Sequence, residues 1–255
     1  THNGTDIVDL PVGVQGTVLK VNDLETAISW ENHDLATKVY YVSIEGTDSD
    51  SSGKTISAPF RTIKYACDYI LADEAARAPA TIYVKTGIYE EILPISIPAD
   101  VAVVGDELRS TIVTPQVGHE TANMFYVRNG GGLRNCTLQG LSGTLGAPNQ
   151  FLTRRPSAGA FVSLDPGTGP DDASVHITSK SPYVQNVSTF GTGCVGMRID
   201  GSLHNGGTKS IVANDFTQII PDGIGYWASN NALSELVSVF TYYCHIGYLS
   251  TDGGK

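Results

Sequence analysis

Two acidic stretches hold residue types that could do chemistry. The first is the pair Asp171 and Asp172, set between Pro170 and Ala173. Paired carboxylates cleave glycosidic bonds as acid and base, or as acid and nucleophile, but only when they flank one bond at a set separation. Adjacent residues in a Pro/Gly turn point apart, so this pair reads as a solvated turn. The second is DSDSSG, residues 48–53. Its carboxylates fall at positions 1 and 3 and its glycine at position 6, as at the start of an EF-hand-type calcium loop. Position 12 should be a bidentate Glu and is Pro59, so the stretch reads as a polar turn. His33, His119, His176, His204 and His245 have no HxH or HxxxH spacing for a metal. Cys67, Cys136, Cys194 and Cys244 form no CxxC pair and sit among apolar neighbours. They read as buried small hydrophobes in a reducing compartment, not as a disulfide framework or zinc site. There is no phosphate-binding loop and no dinucleotide fingerprint. Tyr226, Trp227, Tyr242, Tyr243 and Tyr248 cluster late in the chain; aromatics can hold glycans, but at this repeat spacing they read as core or interface. No catalytic, cofactor-binding or metal-ligating residue is assigned.

The elements that would position such groups follow from composition. A length of 255 residues suits one large all-β domain, or one domain plus a small module. Charged residues make up 16%, against about 25% in an average chain. Low charge and 28 glycines suit a structure in which like side chains stack on like, because stacked like charges repel. A formal charge of -10 argues against nonspecific binding to nucleic acid or membrane phosphates. No apolar run approaches the ~20 residues of a membrane span, and no secretory signal is read at the start.

Residues 1–36 differ from the rest. Val18, Lys20 and Val21 around Leu19, a polar turn, then Ala27, Ile28 and Trp30 read as a small hairpin. It has too little apolar area for its own core and must pack on the main domain or on copies of itself. Leu19, Ile28 and Trp30 are the expected assembly residues. In the remainder, 37–255, a strand at 39–44 leads through a polar loop to one helix at about 62–71. Ile63, Ala66, Cys67 and Ile70 fall at i, i+3, i+4 and i+7 and line one face. Short β-branched runs follow at 81–85, 95–97, 101–104 and 111–113, each bounded by turn residues. Residues 140–180 are rich in Gly, Pro, Ser and Thr and read as long loops around a strand at 160–164.

An internal repeat closes the pattern. Val195-Gly196-Met197, Ile224-Gly225-Tyr226 and Ile246-Gly247-Tyr248 recur, with glycines 29 and 22 residues apart, a solenoid-like period. An apolar run precedes each, so every coil has at least two strands. Gly196, Gly225 and Gly247 are expected as structural turns in one column at a corner. The last residues, STDGGK, read as a turn and not a cap, so the final coil is expected to be covered by another chain or by more solenoid.

Two resemblances add to this reading. The block running from the DSDSSG turn through APFRTIKYAC, TIYVKTGIYEE, VAVVGDE and STIV resembles the entry region of the pectin-lyase-like superfamily. The likeness implies a right-handed parallel β-helix whose open N-terminal end is covered by an amphipathic helix. It places the first strand at 82–90 and the next rungs at Gly105, Asp106, Thr111 and Ile112. A cap is physically required, since exposed strand backbone and an open core would pair with other chains. The N-terminal segment, carried by Gly13, Gly16, Val18, Leu19, Val21, Asn22, Thr26, Ala27 and Trp30, resembles segments of bacteriophage tail-fibre and tail-associated proteins. The later rungs look like tail-associated structural proteins of large tailed cyanophages.

The pectin-lyase-like family includes pectin esterases, lyases and polygalacturonases, each with its own motifs. There is no QDT-like strand, and residues 214–223 match the esterases' second motif only at Asp215-Phe216. Arg154-Arg155 lies in a loop without the aspartate rung of a pectate lyase. Asp171-Asp172 lacks the companion motifs of a polygalacturonase. The expectation is a non-enzymatic virion structural protein: a tail fibre, tailspike or baseplate component serving attachment or host adsorption, and a homotrimer. Its expected partners are copies of itself, other tail or baseplate proteins and a host surface glycan. The alternative is a carbohydrate-active enzyme of the pectin-lyase-like class.

Overall fold

The computed structural model describes residues 17–21, 28–32, 38–72, 79–148, 154–164, 181–202 and 210–255. Two compact units are present, residues 1–37 and 38–255. In the first, β1 (Thr17–Val21) and β2 (Ile28–Asn32) pair antiparallel, with Leu19 opposite Trp30 and Val21 opposite Ile28. Asp171, Asp172, His33, His176 and His204 lie outside the described residues.

Three parallel walls make up the second unit. The first wall runs through β3 (Lys38–Val42), β4 (Ala80–Val84) and β7 (Val101–Gly105). It continues through the first halves of β10 (Gly132–Ser142), β14 (Tyr183–Thr192), β16 (Ser210–Ile219) and β18 (Leu233–Tyr242). The second wall begins with β5 (Gly87–Glu91) and β8 (Thr111–Pro115) and takes the second halves of the same four strands. The third is a 6-stranded sheet of β6 (Ile95–Ile97), β9 (Phe125–Val127), β13 (Ala160–Leu164), β15 (Val195–Asp200), β17 (Ile224–Ser229) and β19 (Ile246–Ser250). The chain visits the walls in the same order on every circuit, so the unit is a parallel β-helix.

The corner between the first two walls has a local chemical cause. Asn135, Asn186, Asp215 and Ser238 hold φ of 55°, 51°, 51° and 51°. Strand pairing on either side puts them one above another. Short polar side chains tolerate this left-handed conformation best after glycine. Asn186 Nδ2 also donates to Asn135 Oδ1 at 3.1 Å, which ties two coils together at the bend. In the first circuit the same corner falls at Lys85 and Thr86, so the strand read as 82–90 is two strands, β4 and β5. It breaks because the chain must change walls there: Lys85 N–H donates back to Val42 and Gly87 N–H donates forward to Ser110.

Like side chains stack inside. On the third wall the interior column is Ile95, Phe125, Val162, Met197, Tyr226 and Tyr248. On the second it is Tyr89, Val113, Leu138, Thr189, Gln218 and Thr241, which turns from apolar to polar along the axis. Helix α1 (Ile63–Ala72) lies over the first coil with Ile63, Ala66, Cys67 and Ile70 buried. Thr62 Oγ1 accepts the Tyr65 N–H at 3.1 Å, the N-cap bond that starts the helix.

Gly196, Gly225 and Gly247 share one register position, between paired neighbours on each side. They are strand residues, second in β15, β17 and β19, and not turns. None needs a left-handed φ. They are small because second-wall side chains press on them: a Cβ on Gly196 would collide with the Gln218 amide, and one on Gly225 with Thr241. The segment read as long loops also holds a hairpin, β11 (Leu145–Pro148) with β12 (Arg154–Pro156). Its form comes from side chain to backbone bonds: Arg154 Nε donates to the Gly146 carbonyl at 2.7 Å, and Ser157 Oγ accepts the Thr144 N–H at 2.8 Å.

A β-branched side chain at the corner tests this account. Asn186→Val combines left-handed strain with loss of the Asn135 bond and should cost about 2 kcal/mol in urea denaturation. Asn186→Gly should cost less. Equal losses in the two variants would show that the corner is not limited by backbone conformation.

Candidate functional site

Two places bring polar groups together. The first is a cleft of about 720 Å³ where α1 meets the first coil. Asp48, Arg61, Lys64, Tyr65, Glu91 and Gln116 help line it. Glu91 ends β5 and is 1% exposed. Its Oε1 accepts the Ile63 N–H at 2.6 Å and its Oε2 the Lys64 N–H at 3.1 Å. Burial pushes its pKa up to about 7, against the downward pull of those two amides. A carboxyl that gains a proton near neutrality can serve as an acid or base. Here both oxygens are spent on the helix N-terminus, so Glu91 acts as a latch between the cap and the coil. Asp48 works beside it, accepting the Arg61 and Thr62 N–H groups at 2.8 and 3.0 Å, while Asp50 accepts the Tyr65 hydroxyl at 2.9 Å. The DSDSSG turn therefore tethers the helix. Among the described residues no three His, Cys, Asp or Glu converge as metal ligands.

The second place is the outward face of the third wall. Ser96, Tyr126, Ser163, Arg198, Trp227 and Leu249 form its central column. Trp227 is buried against Ala160, Val195 and Ile224, an apolar cluster separate from the interior core. The Arg155 guanidinium lies 5.0 Å from its ring centre and that of Arg198 4.8 Å, both at cation–π distance. Its indole N–H donates to Thr251 at 3.1 Å. Asp200 stands beside this group, 6% exposed. It meets Arg198 Nη2 at 3.3 Å, the Ser202 hydroxyl at 2.6 Å and Asn230 Nδ2 at 2.8 Å. Burial alone would raise its pKa, but these donors outweigh it and hold the carboxyl below the usual range.

The third wall thus gathers charged and aromatic groups round one carboxylate. Glycosidic acid–base chemistry needs two carboxylates across one bond. Asp200 is the only carboxylate in the third-wall strands, and its register neighbour on the next coil is Ser229. Asp215 is exposed at the corner between the first and second walls. Arg154 is bound within its hairpin. Cys136 and Cys194 are buried, and burial pushes each thiol up to about 12, far from reactive thiolate. His245 is exposed on the last coil. The meeting of Arg198 with Trp227 escaped the sequence reading, although the repeat held the signal: each lies two residues after its column glycine. Arg155 gives no such signal, because its hairpin interrupts the repeat.

No protein-family model matches the chain, and no curated protein does. Among solved structures it is similar to pectin methylesterase PemA from Erwinia chrysanthemi, at 14% identity over 82% of this chain and 55% of that one, with TM-score 0.37. It is also similar to Escherichia coli YbhC, at 13% identity over 82% of this chain and 67% of that one, with TM-score 0.44. A third is Geobacillus virus E2 ORF18, at 12% identity over 92% of this chain and 47% of that one, with TM-score 0.31. The chain thus spans little more than half of PemA. These likenesses concern fold alone, and the coil assignment rests on strand pairing.

Glu91 gives a signed prediction. Its folded pKa stands above the unfolded value, so its contribution is fully present below about pH 4.5 and lost as pH rises through about 7. Between pH 5 and pH 8 the chain should lose up to about 3 kcal/mol of stability through this group. Urea denaturation at both pH values should show that share of the slope vanish in Glu91→Gln; an unchanged slope would remove Glu91 from the account.

Proposed function

We propose that this chain is a structural component of a tailed-phage virion, in a tail fibre, tailspike or baseplate, and that it serves as a rigid scaffold for attachment or host adsorption. The observation that carries the reading is an outward third wall built of stacked Ser, Tyr, Arg, Trp and Leu side chains, with its one carboxylate held by four donors. A coil of this kind would bear load and present side chains. The resemblance of residues 13–30 to tail-fibre segments points the same way. Residues 1–36, with Leu19, Ile28 and Trp30, would mediate attachment or threefold association. Exposed Phe190, Val237, Phe240 and Tyr242 on the coil would suit contact with further copies or with neighbouring tail proteins. A host surface glycan would be the small partner of such a scaffold.

One observation favours a carbohydrate-active enzyme of the pectin-lyase-like class: Arg198, Asp200 and Trp227 stand together on one outward wall. Two measurements separate the readings. Gold-labelled antibody against the chain should mark the tail of intact particles, and sedimentation should show an oligomer that falls to monomer without residues 1–36. Incubation with esterified and de-esterified pectin should give no product. Product formation abolished by Asp200→Asn, or a monomer that sediments alike with and without the segment and joins no particle, would reverse the assignment.

A further inference from the structure

Two guanidinium groups meet on one ring. Those of Arg155 and Arg198 lie 5.0 and 4.8 Å from the centre of Trp227. Trp227 packs on Ala160, Val195 and Ile224 of the wall, so the two cations share its outer side. Like charges this near one another repel, and one carboxylate stands beside them. Asp200 meets Arg198 Nη2 at 3.3 Å and also accepts the Ser202 N–H, the Ser202 hydroxyl and Asn230 Nδ2. Among the described residues no carboxylate pairs with Arg155. A positive charge is therefore left unbalanced in this group, in a chain whose net charge is -10.

The two arginines come from different elements, and each is positioned. Arg155 lies in β12, whose hairpin is fixed by Arg154 Nε on the Gly146 carbonyl and by Ser157 Oγ under the Thr144 N–H. Arg198 lies in β15, in register with Trp227 of the next coil. The ring between them is a fixed platform, 5% exposed. Arg155 is exposed and Arg198 half-buried. Arg198 Nε is enclosed and Nη2 faces Asp200, which leaves Nη1 uncommitted. Arg155 keeps its whole fork.

These donors select the shape of an anion. A carboxylate has two oxygens in one plane, and a single guanidinium fork fills both. A phosphate monoester offers three acceptor oxygens in different directions and about two negative charges near neutrality. It can take the fork of Arg155 and Nη1 of Arg198 together. We propose that Arg155 and Arg198 bind a phosphate dianion beside Trp227, either the free ion or the phosphate of a phosphorylated sugar. The inference stands on the geometry of the wall and holds whether or not the virion assignment does.

The test titrates the whole chain, at constant ionic strength, with inorganic phosphate, glucose 6-phosphate and galacturonate. The readout is the indole N–H resonance of Trp227, told from that of Trp30 with Trp30→Phe. A saturable shift at Trp227 is expected with both phosphates, and galacturonate should bind about tenfold more weakly. Arg155→Gln should weaken phosphate binding by about tenfold, and Arg109→Gln, at an exposed site in another loop, should not. Tighter binding of glucose 6-phosphate than of inorganic phosphate upholds the proposal with the sugar phosphate as source; the reverse order upholds it with the free ion. If Arg155→Gln fails to fold, the order of the three ligands on the unaltered chain decides. Absence of a saturable shift at Trp227, galacturonate binding as tightly as phosphate, or indifference to Arg155→Gln in a folded variant would each overturn the proposal.

Discussion

A coil of parallel strands cannot satisfy its own backbone. Every N–H and C=O of the three walls points along the axis and must find its partner on the coil before or after. The rest of the molecule follows from that borrowing. Register must persist from coil to coil, so the same side-chain position recurs above itself and like stacks on like. Charge is scarce because a stacked charge would meet its own kind, and glycine is abundant where one coil's side chain must lie against the next coil's backbone. The cap is a consequence too, since the first coil has no earlier neighbour. Helix α1 covers it, and Glu91, Asp48 and Thr62 occupy the free N–H groups at the start of that helix.

The corners solve a second problem, which is how to bend without losing register. Asn135, Asn186, Asp215 and Ser238 turn the backbone by conformation alone and keep pairing intact on both sides. The outward side chains are thereby free to vary. On the third wall that freedom is spent on Arg198, Trp227 and Asp200, and the β11–β12 hairpin brings Arg155 over the same ring.

The helix was legible because its period is local: Ile63, Ala66, Cys67 and Ile70 show a face without reference to anything else. The strands at 95–97 and 160–164 were legible for the same reason. The spacing of Gly196, Gly225 and Gly247 revealed a column, yet suggested turns, because the side chains that demand their smallness come from another wall one coil later. Glu91 stands in the stretch TIYVKTGIYEE that carried the resemblance, yet its role was hidden, since its partners lie 28 and 27 residues earlier in the chain. The hairpin at Leu145–Pro148 and Arg154–Pro156 was hidden by a Gly- and Pro-rich composition that serves loops and tight hairpins alike.

The second-wall interior changes character along the axis, from Tyr89, Val113 and Leu138 to Thr189, Gln218 and Thr241. Cohesion between coils grows with the apolar area they share, and in a stack each coil is held only by its neighbours. Cohesion is therefore greatest among the lidded coils beneath α1 and weaker across the layers that pack Thr189, Gln218 and Thr241. Local opening should need less free energy across those polar layers than across the apolar ones.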